Sequence, residues 1–191
     1  MKSFAFAFVL VATLLPAAAR ADVTAGAQKS ASCSTCHGID GNSPSGVYPN
    51  LAGQSPQYLF KQLKDFKENR RPNAIMTTMV GSLTDEDMHD LADFFNAQSP
   101  NTTPYSADAA KIAAGKKIAE EVQCITCHLR NFKGAGEIPR VARQQYAYTT
   151  KQLKDFRDGV RTNDNGVMAP MTKNLTDEQI QSLARYIGSL Y

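Results

Sequence analysis

The sequence predicts an all-α protein built as two tandem units, and three observations predict it. First, the chain repeats itself. Lys61-Gln62-Leu63-Lys64-Asp65-Phe66 returns letter for letter as Lys151-Gln152-Leu153-Lys154-Asp155-Phe156, and Leu83-Thr84-Asp85-Glu86 returns as Leu175-Thr176-Asp177-Glu178. Second, apolar residues within each copy recur at spacings of three and four, and no run alternates as a strand would. Third, Gln98-Ser99-Pro100-Asn101-Thr102-Thr103-Pro104-Tyr105 between the copies has two prolines and no apolar periodicity, which marks a linker. Two copies, each near the size of the smallest self-supporting domains, make a tandem pair and not a solenoid.

Residues 1–21 read as a secretory signal. Lys2 supplies the positive end, residues 4–15 the apolar run, and Ala19-Arg20-Ala21 the small-x-small cleavage site. The run is shorter than the roughly 20 residues needed to span a bilayer. The expected mature chain therefore begins at Asp22, lies in the periplasm and has no transmembrane segment, with peripheral membrane association left open. The expected organisation is a signal at 1–21, a first domain at 22–98, a linker at 99–106 and a second domain at 107–191.

Within the first unit a short helix is expected near residues 25–32. A second should start at Ser55-Pro56, with proline at the first helical position and Tyr58, Leu59, Gln62, Leu63 and Phe66 following on one face. Thr84 and Asp87 form a capping-box start for a third, which carries Met88, Leu91, Ala92 and Phe95. The second unit repeats the scheme, with a helix near 109–122 and another opened by Thr176 and Gln179 that carries Ile180, Leu183, Ala184 and Ile187.

The formal charge of +3 conceals an uneven distribution. Residues 22–105 hold six Lys/Arg against nine Asp/Glu, and residues 106–191 hold thirteen against nine. The halves thus differ in sign, a dipole able to orient the molecule in an encounter. Neither half has the basic excess or interleaved aromatics that nucleic-acid binding requires. In the second half, Arg130, Lys133, Arg140 and Arg143 gather close in sequence and suggest a basic docking patch.

Four cysteines in an exported protein ordinarily suggest two disulfides, but their placement argues otherwise. Cys33-Ser34-Thr35-Cys36-His37 and Cys124-Ile125-Thr126-Cys127-His128 are two copies of Cys-x-x-Cys-His. Two thiols at this spacing can bond to the two vinyl groups on one haem edge, and the adjacent histidine then falls beneath the iron. Thioredoxin-like disulfides need an α/β scaffold, which helical units do not offer. A structural zinc site needs about four ligands, and each motif supplies three. Each unit also carries a Met-x-x-Met pair, Met76 with Met79 and Met168 with Met171. Met76 lies seven residues before Leu83 and Met168 seven before Leu175, so both units allow the first member to cross the distal haem face on a loop. Met79 and Met171 are then expected in the core. His89 is expected on the surface.

Together these residues resemble class I cytochromes c, and the tandem arrangement resembles dihaem cytochromes of the c4 type. The first unit carries the resemblance most fully, in Cys33-Ser34-Thr35-Cys36-His37-Gly38-Ile39-Asp40-Gly41-Asn42-Ser43 and Tyr48-Pro49-Asn50-Leu51-Ala52-Gly53-Gln54. It implies two covalently bound haem c groups, attached through Cys33, Cys36, Cys124 and Cys127 and ligated by His37 with Met76 and His128 with Met168. It also implies that the carbonyls of Pro49 and Pro139 accept from the proximal rings, fixing their orientation and raising their basicity. The second unit departs from the pattern after His128, where Leu129-Arg130-Asn131-Phe132-Lys133 replaces Gly-x-Asp-Gly. The loop path there is open on sequence alone.

Iron held by protein on both faces has no position for substrate, so the expected activity is electron transfer and not catalysis. The resemblance implies passage from a cytochrome bc-type, quinol-oxidising complex to a haem-copper terminal oxidase, with other cytochromes or a copper protein as further partners. Two alternatives belong to other classes. One is the cytochrome subunit of a larger oxidoreductase, such as a flavocytochrome sulfide dehydrogenase. The other is a haem peroxidase, which the methionines retained in both units disfavour.

Overall fold

The computed structural model describes residues 22–101 and 108–190, so the expected signal and most of the expected linker lie outside the described residues. Among the described residues the secondary structure is helical, apart from one isolated bridge between Ala135 and Ile138. The first unit contains α1 (Val23–Lys29), α2 (Ser34–His37), α3 (Pro56–Lys67), α4 (Ala74–Val80) and α5 (Asp85–Asn96). The second repeats them as α6 (Ala109–Glu121), α7 (Ile125–His128), α8 (Tyr146–Arg157), α9 (Met168–Thr172) and α10 (Asp177–Ser189). No helix of the described residues is long and apolar enough to cross a membrane.

Local chemistry starts these helices where the residues call for it. The Ser55 side chain accepts from the Tyr58 amide ahead of Pro56, and both capping boxes form, Thr84 with Asp87 and Thr176 with Gln179. Such caps satisfy amides that a helix end leaves unpaired, at about 1 kcal/mol each.

In each unit the first helix crosses the last through a glycine. A methyl group on Gly26 would stand 2.1 Å from the Asp90 carbonyl oxygen, and one on Gly115 the same distance from that of Ser182. The crossing brings backbones into contact and leaves Leu59, Leu91, Ala92 and Phe95 as the first core. Ala119, Phe132, Ala142, Leu175, Ile180 and Leu183 form the second. Each is a small core for a unit of this length, and an apolar cofactor would enlarge it.

The methionine segments are helical, where loops were expected. Asn73 caps α4 by accepting from the Met76 amide, and Asp164 accepts from the Met168 amide at the start of α9. The expectation for the second methionines also fails. Val80 and Thr172 take the buried positions of these helices, while Met79 and Met171 are 42% and 46% exposed. Met76 and Met168 are half-buried.

The two units meet through hydrogen bonds that occur in pairs. The Asn50 amide donates to Gln144 Oε1 at 2.7 Å, and Gln144 Nε2 donates to the Asn50 carbonyl at 2.9 Å. At the corresponding positions the Arg140 amide donates to Gln54 Oε1 at 2.7 Å, and Gln54 Nε2 donates to the Arg140 carbonyl at 2.8 Å. Arg71 reaches Tyr148 and Gln152 across the interface, and Arg161 reaches Tyr58 and Gln62. Each guanidinium also covers a phenylalanine of its own unit, Phe66 or Phe156. Contacts that exchange in this way define a pseudo-twofold, isologous interface. Asn163 breaks the symmetry by donating to Gln62 and to the buried Asp65.

Candidate haem sites

Cys33, Cys36 and His37 are gathered within one helical turn by α2, and Cys124, Cys127 and His128 by α7. All four thiols are free, so neither pair is a disulfide. Burial pushes the Cys33 and Cys124 thiols above their ordinary value. Both imidazoles are buried, and each Nδ1 meets a proline carbonyl, His37 that of Pro49 at 3.0 Å and His128 that of Pro139 at 2.9 Å. Burial lowers the pKa of both rings, partly offset by those carbonyl bonds, so the neutral form needed for metal ligation prevails. The proline role expected from the resemblance is therefore present in both units. Nε2 of each ring has no hydrogen-bond partner among the described residues.

The second loop keeps the path of the first despite its different sequence. Leu51 and Ala52 donate to the Gly41 carbonyl, and Val141 and Ala142 donate to that of Phe132. Gly38, Gly41 and Gly53 have φ of 81°, 77° and 64°; Leu129, Phe132 and Arg143 replace them at 62°, 54° and 62°. Each non-glycine residue in this region costs on the order of 1 kcal/mol or more. A methyl group on Gly41 would strike Phe95 and the Ala52 backbone, whereas the Phe132 ring at the corresponding position of the second unit is buried and packs edge-on against Tyr186.

These residues fit two haem groups. Large apolar side chains stand exposed beside each attachment motif and on or beside each methionine helix: Ile39 and Ile75 in the first unit, Ile125, Leu129 and Val167 in the second. Ile39 is 83% exposed, a poor placement for an isoleucine in water and a suitable one against a flat apolar macrocycle. The free thiols, the uncommitted Nε2 and the modest cores agree with this.

Two expectations are resolved differently. His89 is exposed, as expected, and stacks on Phe60 with ring centroids 4.0 Å apart. The basic cluster is smaller than its sequence suggests. Arg140 is half-buried, its pKa lowered by burial and by Arg143, and Arg143 donates to the Pro100 carbonyl. Arg130 and Lys133 remain exposed. Sequence reasoning also missed the interface glutamines and arginines. Their signal was polar identity at matching positions of the repeat, including Gln54 with Gln144, Tyr58 with Tyr148 and Arg71 with Arg161.

The cytochrome c family model matches this chain twice, over residues 23–99 and 112–191. Cytochrome c4 of Stutzerimonas stutzeri is 38% identical over 208 residues, covering 96% of this chain and 99% of that one. The crystal structure of reduced recombinant cytochrome c4 from Pseudomonas stutzeri superposes with a TM-score of 0.83 at 38% identity, covering 90% of this chain and 100% of that one. A thiosulfate dehydrogenase electron acceptor of Thiomonas intermedia is 34% identical over 183 residues, covering 90% of this chain and 84% of that one.

Proposed function

This chain belongs to the cytochrome c family, in its tandem dihaem form, and from that premise we propose that it is a periplasmic carrier passing electrons from a quinol-oxidising cytochrome complex to a haem-copper terminal oxidase. The observation that carries the reading is the doubled site: two attachment motifs, each with a buried neutral histidine held by a proline carbonyl and a methionine helix in the same unit. Cys33, Cys36, Cys124 and Cys127 would attach the haems, and His37 with Met76 and His128 with Met168 would ligate the irons. Bound haem supplies one-electron chemistry. The protein orients the imidazoles, keeps water from the buried rings and sets the field around each group. Mass spectrometry of the denatured mature protein is expected to show the chain from Asp22 plus two haems that survive acid-acetone extraction. A single haem refutes the doubled site.

Spectroelectrochemical titration followed by stopped-flow transfer tests the carrier role, with the quinol-oxidising complex as donor and the oxidase as acceptor. Reduction and reoxidation through both is the expected result; inertness toward either partner overturns this route. A second reading is favoured by the relative described as a thiosulfate dehydrogenase electron acceptor. On it, the electron donor is a thiosulfate-oxidising enzyme, and rapid reduction of this protein by such an enzyme with thiosulfate would select it. Firm copurification with a flavoprotein would instead indicate an enzyme subunit.

Docking of the second unit is expected to depend on Arg130 and Lys133, the two members of the cluster that remain exposed. Charge acts chiefly on the association rate and fades as salt shortens the Debye length, about 8 Å at physiological strength. The Arg130→Glu/Lys133→Glu protein should transfer electrons to an acidic acceptor about tenfold more slowly at low salt, with a flatter salt dependence. Equal rates and slopes remove this patch from the docking face.

A further inference from the structure

Each proline carbonyl that holds a proximal histidine belongs to a peptide group whose N–H points into the other unit. The Pro49 carbonyl meets His37 Nδ1, and the N–H of that same peptide, on Asn50, donates to Gln144 Oε1 at 2.7 Å. The Pro139 carbonyl meets His128 Nδ1, and the N–H of that peptide, on Arg140, donates to Gln54 Oε1 at 2.7 Å. Both glutamines are buried, and the backbone on either side decides which amide atom faces which group, because each Nε2 donates to the next carbonyl.

We propose that Gln144 and Gln54 are positioning residues acting across the interface, each setting the basicity of the proximal histidine, and so the haem potential, of the opposite unit. The coupling follows from peptide resonance. Accepting a hydrogen bond from the N–H increases the electron density on the carbonyl oxygen of the same planar group. Bonds in such a chain strengthen one another, and a partner beyond the ligand tunes the ligand. A more negative carbonyl draws the Nδ1 proton harder, makes Nε2 a stronger donor and favours the oxidised, more positively charged iron. Removing the glutamine acceptor should therefore raise the potential of the haem in the other unit. The histidine relay is symmetric, but the first unit has an additional brace. Asn50 Oδ1 accepts from the Ser43 amide and from Gln145 Nε2, whereas the corresponding Arg140 contributes no such amide.

The inference rests on His37 and His128 being the proximal ligands, and the test separates the two claims. Gln144→Met and Gln54→Met are made in the full holoprotein, keeping side-chain length and removing both polar atoms. Haem-resolved NMR during redox titration gives each potential, and the Nδ1 proton signal of each proximal ring is followed in the reduced state. For Gln144→Met, the first unit's reduction equilibrium should shift about threefold toward the reduced form, roughly 28 mV at about 59 mV per tenfold for one electron. The His37 Nδ1 proton should exchange faster. Gln54→Met should act in the same way on the second unit and His128. Asn163→Ala, which removes other bonds across the same interface, should move neither potential. A shift in the substituted residue's own unit, equal shifts in both haems, a matching shift from Asn163→Ala, or no shift overturns the proposal. Failure of the ligand assignment would be visible separately, as absence of a haem-shifted proximal histidine spectrum in the unmodified protein.

Discussion

Met76→Ala is expected to remove about half of the charge-transfer absorption that marks sulfur-ligated ferric haem. Met168→Ala should remove the other half, and the double variant all of it. The expectation rests on sequence position. Both residues lie seven positions before the leucine that leads into the last helix of their unit, and both sit on short helices. Met79→Ala and Met171→Ala, at the second member of each pair, should leave the band intact. Loss of a thioether, which favours ferrous iron, should lower the affected potential by on the order of 100 mV, within the roughly 0.8 V that axial ligands command. The vacated position should also bind added imidazole. If the second-methionine variants lose the band instead, the assignment within both pairs is reversed.

Gly115→Ala is expected to destabilise the second unit by about 2–3 kcal/mol, the upper range for overpacking. Two effects oppose one another here. Alanine is the better helix former by roughly 1 kcal/mol. Its methyl group, however, would lie 2.1 Å from the Ser182 carbonyl oxygen and also press on the Tyr186 side chain. The carbonyl belongs to α10, so relief requires one helix to move off the other, and the contact outweighs propensity. For a unit of this size the melting temperature should fall by roughly 10–20 °C. Gly26→Ala should act likewise on the first unit, where Asp90 and Phe94 are the obstacles. Ala114→Gly, one position away on the exposed face of α6, should cost only about 1 kcal/mol. A Gly115→Ala protein as stable as the parent would show that the two helices can separate freely.

The helices that bury a full apolar stripe were legible in the sequence, because caps and spacing announce them together. Ser55-Pro56, Thr84 with Asp87 and Thr176 with Gln179 open α3, α5 and α10 as their chemistry requires. The attachment motifs were legible because haem chemistry confines them to adjacent positions. The methionine helices were not. Ile75, Thr77 and Thr78 are β-branched, and Pro170 lies inside α9, so local propensity opposes what capping and packing onto α3 and α8 achieve. The second attachment loop was hidden for the opposite reason: its left-handed positions carry Leu129, Phe132 and Arg143, which give no glycine signal. Asp65 lies in the repeated Lys-Gln-Leu-Lys-Asp-Phe segment, where nothing in the sequence marks it as buried. It is 1% exposed, and bonds from Lys61, Asn163 and Arg70 outweigh burial to hold its carboxyl below the usual range. A polar residue facing a sister unit cannot be told from one facing water by periodicity alone.

The paired contacts between the units have a consequence for how such a molecule could have arisen. A face on which Gln54 meets Arg140 while Gln144 meets Asn50 is complementary to itself under a half-turn. A single ancestral unit bearing it would already have had its partner, in another copy from the same gene. Joining the copies added no contact to that face. It replaced an encounter between molecules by one within a chain, at the millimolar effective concentrations that short tethers give. Once tethered, the halves no longer had to remain identical, and Asn50 and Arg140, which hold corresponding positions, record where they have since diverged.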